Sequence, residues 1–156
     1  MSEVYLSREG YEKLQDELQE LKGTERPTVR QALQRAREFG DLSENAEYSA
    51  AKERLHSLEA RINKLEETLS RARLLENETI PEDKVYIGAT VELEDLKNAR
   101  QLKYTLVAPE EADFEAGKIS TVSPIGKGLL GHEEGDEVEI EVPAGRLHYK
   151  IVKITR

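Results

Sequence analysis

The chain contains no cysteine and no tryptophan, and aromatic residues make up only 5% of its 156 positions. Without cysteine there is neither a disulfide framework nor a thiolate-ligated metal. Few aromatics beside 35% charged residues point away from a thick core and toward long helices that bury a narrow seam and solvate the rest. No apolar run approaches the roughly 20 residues of a membrane span. Met1-Ser2-Glu3-Val4 leads at once into charged, helix-like sequence rather than a secretory leader. A soluble cytoplasmic protein with no membrane partner is expected. The net charge of −9 argues against a general nucleic-acid binder, which needs a basic surface.

Charge and pattern divide the chain. Residues 1–75 carry 13 Lys/Arg and 15 Asp/Glu, whereas residues 76–156 carry 10 and 17. In the first part Ser7 reads as an N-cap, and Tyr11, Leu14, Leu18 and Leu21 follow at heptad spacing. Gly23 and Pro27 interrupt. Val29, Ala32, Ala36 and Phe39 then resume the 3-4-3 spacing with the register slipped by one residue. Because the seam resumes so soon, Pro27 is expected to kink this helix rather than end it. In the next segment Tyr48, Ala51, Leu55, Leu58, Ile62, Leu65, Leu69 and Ala72 alternate steps of three and four without a fault. The short link between the segments requires antiparallel packing. With some 30 residues per arm, the hairpin would reach roughly 45 Å at about 1.5 Å per residue.

The pattern changes after Leu75. Residues 76–84, with Pro81, read as a linker. Val91-Leu93, Leu102-Tyr104-Leu106, Val138-Ile140-Val142 and Leu147-Tyr149-Ile151 alternate with period two and are bounded by Gly88, Asn98, Gly135 and Gly145, which predicts strands. Ser123-Pro124-Ile125-Gly126-Lys127-Gly128-Leu129-Leu130-Gly131 offers an N-cap, a proline at the first helical position and a closing glycine, hence a short helix among strands. The expected fold is α+β: a helical hairpin over 1–75 and a small, mostly β domain over 85–156.

Chemistry concentrates at the turn of the hairpin, Gly40-Asp41-Leu42-Ser43-Glu44-Asn45-Ala46-Glu47-Tyr48. The three-residue spacing of Asp41 and Glu44 can aim both carboxylates the same way. Two hard oxygen donors hold Mg²⁺ only weakly, because the ion wants further ligands. Such a pair could complete a metal site supplied mostly by another protein, as two-metal phosphoryl chemistry requires. The same spacing also suits a capping box, with Asp41 as N-cap and Glu44 at N3, and spacing alone favours that reading. Arg26, Arg30, Arg35 and Arg37 lie in a stretch free of acids. Arg26, Arg30 and Arg37 share one helical face, and Lys52 adds a cation from the opposing helix. Either a phosphate backbone runs along this face or it is simply the solvated side of a charged coil. His56, His132 and His148 show no ligand spacing, and Gly126-Lys127-Gly128 is too short for a phosphate loop.

The run Gly40–Tyr48 resembles the tip motif of the Gre family of bacterial transcript cleavage factors. Ser123–Gly131 resembles that family's C-terminal signature, and the two motifs stand in the right order across nearly the whole chain. The resemblance implies an N-terminal antiparallel coiled coil plus a C-terminal FKBP-like domain. That domain would dock at the rim of the secondary channel of bacterial RNA polymerase, and the coil would enter the channel. The tip would then stimulate the polymerase's own hydrolysis of nascent RNA near its 3′ end in backtracked complexes. By the same resemblance Asp41 and Glu44 would help hold the second catalytic Mg²⁺ and position the attacking water. Arg37 and Lys52 would face the RNA 3′ segment, with Arg26 and Arg30 extending that surface. Gly40, Leu42, Asn45 and Tyr48 would support the tip, and Ser123, Pro124, Ile125, Gly126 and Gly128 would shape the docking domain. No cofactor is expected to bind stably to the chain alone, which would work as a monomer and as an activator rather than an enzyme. A channel-binding inhibitor is the alternative within the family, although retention of Asn45-Ala46-Glu47-Tyr48 favours a stimulator. A coiled-coil adaptor with a peptide-binding β domain is the alternative outside it.

Overall fold

The computed structural model describes residues 3–41 and 44–156. They fall into two units, a helical one containing Glu9–Ala72 and a mostly β one built from Val4–Arg8 and Arg73–Arg156. The expected fold class holds: a helical hairpin and a small β-rich domain.

In the helical unit the first arm runs through α1 (Arg8–Glu20), a π-helical turn (Leu21–Glu25) and α2 (Arg26–Arg37); the second is α3 (Ala46–Ser70). The first arm runs without a break from Arg8 to Arg37, as long as the sequence suggested, whereas the 25 residues of α3 extend roughly 37 Å at about 1.5 Å per residue. Leu14, Leu21, Val29 and Ala36 are buried on the first arm, and Ala51, Leu58, Ile62, Leu65 and Thr68 on the second. These positions follow the predicted seam, except that Thr68 takes the most buried place near the end of α3 and the tip-proximal Phe39 does not pack at all.

The one-residue slip of the first seam has a specific cause. The backbone N–H of Arg26 donates to the carbonyl of Leu21, five residues back. A π-turn inserts one extra residue into an otherwise continuous helix, which shifts the apolar stripe by one position. Pro27, within the first turn of α2, has no N–H to give, and the hydroxyl of the next residue, Thr28, donates to the carbonyl of Thr24 at 2.8 Å. Proline therefore neither breaks the arm nor acts alone on it. The arms are laced by two paired forks: Arg26 grips Glu59 through bonds of 2.8 and 2.9 Å, and Arg61 grips Glu17 through bonds of 2.6 and 2.9 Å. The Arg61 hydrogen bond holds the Glu17 carboxyl below its ordinary range.

The β unit contains β1 (Val4–Leu6), β2 (Ala72–Leu74), β3 (Thr90–Asp95), β4 (Arg100–Val107), β5 (Lys118–Ser120), α4 (Pro124–Leu129), β6 (Glu137–Val142) and β7 (Gly145–Thr155). Five strands form one sheet in the order β5-β4-β3-β7-β6, with only the β4–β5 pair parallel. β1 and β2 pair separately. The four predicted strands lie within β3, β4, β6 and β7, and their inward residues Val91, Leu93, Leu106, Val138, Ile140, Tyr149 and Ile151 join Val85, Ala89, Ile119, Leu129 and Ile154 in one core. Alternation along β7 breaks after Ile151 because the β3–β7 register jumps between Glu92↔Lys153 and Leu93↔Ile151. Val152 is the bulged residue and points to solvent, so Ile151 and Ile154 are both buried although three positions apart. Ser7, at the end of β1, donates both its N–H and its hydroxyl to the Glu111 carboxylate, at 2.9 and 2.6 Å.

Candidate functional site

The hairpin tip is built by closing α2 and starting α3. The last turn of α2 tightens: Glu38 N–H donates to Arg35, Phe39 N–H to Ala36 and Gly40 N–H to Arg37. Gly40 then takes φ +101° with open space around it, a conformation glycine adopts without strain. α3 is started by Asn45. Its extended backbone and a 3.0 Å bond from Tyr48 N–H to its side-chain oxygen make it the N-cap. The amide nitrogen of the same side chain donates to the Ala36 carbonyl at 2.7 Å. One residue therefore caps one helix and satisfies the end of the other.

This placement overturns the capping-box reading of Asp41 and Glu44. The cap is Asn45, and the acid in the first turn of α3 is Glu47. Asp41 and Glu44 precede the helix and are both exposed, and neither is its N-cap. Of the other tip residues, Leu42 lies outside the described residues. Among the described residues no three metal-ligating side chains gather at one point. Two exposed carboxylates fit a hard cation as oxygen donors but provide only part of the shell that Mg²⁺ demands.

The basic residues separate into two kinds. The Arg37 guanidinium from α2 and the Lys52 ammonium from α3 each lie 6.0 Å from the centre of the Tyr48 ring, at the edge of cation–π range. Tyr48 thereby gathers two cations beside the tip acids. Arg26 is half-buried in its fork with Glu59, and Arg30 is exposed with Glu59 3.8 Å away. Both lie toward Glu59 of the opposing arm, but only Arg26 is hydrogen-bonded to it. His56 is exposed, as its place outside the seam predicts.

In the β unit the signature run forms the predicted short helix. The Ser123 hydroxyl accepts from Gly126 N–H at 3.1 Å and donates to the Ser120 carbonyl at 2.6 Å, fixing the start of α4 to the end of β5. The glycines are spacing devices: a Cβ on Gly126 would stand 2.1 Å from the Ser120 carbonyl oxygen, and one on Gly128 would stand 2.6 Å from the Ile140 side chain. Beside this helix Phe114, Ile119, Pro124, Ile125, Val142 and Pro143 line an apolar groove of about 410 Å³. Phe114 is 69% exposed, with its ring centre 6.1 Å from that of Tyr104. Sequence reasoning found the helix but not the groove, because Phe114 lies in a short 3-10 turn (Phe114–Ala116) with no periodicity to reveal it.

Two family descriptions cover this chain almost end to end: "Transcription elongation factor, N-terminal" matches residues 4–74, and "Transcription elongation factor, GreA/GreB, C-term" matches residues 80–156. The chain belongs to the GreA/GreB family of transcription elongation factors. Within it the similarity is to GreA. The transcription elongation factor GreA of Chloroherpeton thalassium is 51% identical over 151 residues, 97% of this chain and 96% of the relative. That of Nitratidesulfovibrio vulgaris is 49% identical over 154 residues, 99% and 94% of the two chains. Among solved structures, GreA factor homolog 1 of Thermus thermophilus is 35% identical, covers 99% of both chains and superposes with a TM-score of 0.46. Among the described residues no helix is long and apolar enough to cross a membrane.

Proposed function

We propose that this chain acts on bacterial RNA polymerase as a transcript cleavage factor. Its hairpin enters the secondary channel, and its tip stimulates hydrolysis of nascent RNA by the polymerase in backtracked complexes. The observation that carries the reading is the placement of Asn45: it, and neither acid, is the N-cap of α3, and Asp41 and Glu44 stand exposed at the tip. Asp41 and Glu44 would complete the shell of a Mg²⁺ ion held mainly by the polymerase. Such an ion activates water and stabilises the leaving oxygen. Gly40 ends the first arm and Asn45 ties the start of α3 to the Ala36 carbonyl, which brings the two carboxylates to the end of the hairpin. Arg37 and Lys52, gathered on Tyr48, face the RNA 3′ segment and offset its charge. Arg26 and Arg30 serve that surface indirectly, by bracing the arms through Glu59. The groove beside α4 is the docking surface for the rim of the channel, with Ser123 and Gly126 setting its wall. The chain itself is an activator and carries out no cleavage alone.

The test is a cleavage assay on a backtracked complex with wild-type and Asp41→Asn proteins side by side. Wild type should shorten the RNA. Asp41→Asn should lose nearly all stimulation while keeping its affinity for polymerase. Equal cleavage by the two proteins removes the carboxylate mechanism. Suppressed synthesis without shortening by wild type identifies an inhibitor instead.

A further inference from the structure

We infer that Phe39 is a stacking platform at the hairpin tip that positions an unpaired base of the RNA 3′ segment; this rests on the cleavage-factor reading above. The heptad spacing assigns Phe39 to the buried seam, yet its side chain is 72% exposed. Among the described residues it is the one exposed large apolar side chain of the helical unit; the others, Leu96, Phe114, Val122 and Val152, belong to the β unit. Phe39 lies beyond the last residue of α2 and stays exposed, so the seam between the arms does not use its ring.

Its setting suits a nucleobase. The Phe39 N–H donates to the Ala36 carbonyl, the same oxygen that the Asn45 side chain engages, so the ring is carried on backbone tied to the starts of both the turn and α3. It falls between Arg37, one of the two cations held at the Tyr48 ring, and the acids Asp41 and Glu44. That combination poses an electrostatic problem. Carboxylates that must approach a phosphate also repel the strand bearing it. Further cations would solve this only by neutralising the acids. A neutral π-face attracts a base without touching the charge balance, and aromatic platforms beside basic residues are how single strands are held without sequence preference. Single-stranded RNA also has the unstacked bases that such a ring can accept.

The experiment uses the full-length chain with a backtracked polymerase complex. Wild type is compared with Phe39→Ala, Phe39→Leu and Phe39→Trp for cleavage rate at saturating factor and for affinity toward polymerase lacking RNA. A 4-thiouridine at the RNA 3′ end reports contact by photo-crosslinking. Ala and Leu should each reduce the saturated rate by roughly tenfold and weaken the crosslink. Trp should restore both, and affinity for RNA-free polymerase should stay unchanged. Full activity of Phe39→Leu, or a loss confined to affinity for RNA-free polymerase, overturns stacking and assigns the ring to an apolar protein contact. If wild type shortens RNA and all three variants match it, only the platform is wrong. If wild type does not shorten RNA, the cleavage-factor reading and the platform fall together.

Discussion

The two glycine-bearing motifs of this chain look alike in sequence and are opposites in structure. At Gly40 a Cβ would meet nothing within 4 Å, whereas at Gly126 it would stand 2.1 Å from a backbone oxygen. The tip is open, polar and tied by a few hydrogen bonds. The signature helix is pressed between the end of β5 and the Ile140 side chain of β6. A motif can thus be demanded by packing or by something outside the chain. Around α4 the packing is visible, so its glycines need no partner to explain them. Around the tip, Asn45 is the N-cap of α3, and Asp41 and Glu44 stand exposed before it.

That contrast can be broken by substitution. The largest effect belongs to Asp41→Asn, which should remove most stimulated RNA cleavage while urea unfolding of the protein stays within about 0.5 kcal/mol of wild type. Next comes Gly126→Ala. The clash is with backbone, which cannot rotate away, so the β unit should lose about 1–3 kcal/mol or more. Gly128→Ala meets only the Ile140 side chain and should lose less. Gly40→Ala should cost about 1 kcal/mol through its positive φ, with the loss confined to the hairpin. If Gly40→Ala destabilised as much as Gly126→Ala, the distinction between an open and a packed motif would be wrong.

Asn45→Ala sharpens the comparison from the other side. It removes the cap of α3 and the bond to Ala36 together, so about 1–2 kcal/mol should be lost from the hairpin. Stimulated cleavage should drop even where the protein remains folded, because the start of α3 is no longer tied to the end of α2 beside the acids. Unchanged cleavage at saturating factor would mean that the tip needs no preorganisation.

The smallest effect concerns a carboxylate that does serve the fold. Asp95, buried at the β3–β4 turn, accepts from the Asn98 side chain and from the N–H groups of Lys97 and Asn98. The Asn98 side chain foremost, with the two backbone donors, holds its carboxyl below the ordinary range. A depressed folded pKa means that the stabilisation is present above the unfolded value, about 3.9, and is lost as pH falls through the folded one. Urea midpoints taken from pH 6 to pH 2.5 should therefore decline less steeply in Asp95→Asn than in wild type. Equal slopes would show that this turn does not depend on the charge.

How far the sequence reveals this molecule depends on how many residues repeat a signal. α3 is legible over most of its length because the predicted seam recurs at Ala51, Leu58, Ile62 and Leu65, although the period runs on past the helix to Ala72, which lies in β2. The four long strands are legible because period two survives several turns of alternation. β1, β2 and β5 have three residues each, too few for a period to show. The capping box misleads because Asp41-x-x-Glu44 and Asn45-x-x-Tyr48 are both spaced for a cap. Only the extended backbone at Asn45, a consequence of where the turn closes, decides between them. Phe39 misleads for a related reason: heptad phase continues one step past the point where the partner helix can cover it.

The π-turn at Leu21–Glu25 has one more implication. A helix grown by one residue normally rotates everything beyond it by about 100°. Here the surplus residue is absorbed within a single turn, and the buried faces of α2 and α3 still meet. The first arm thus carries one residue more than a strict heptad without turning its apolar stripe away from α3.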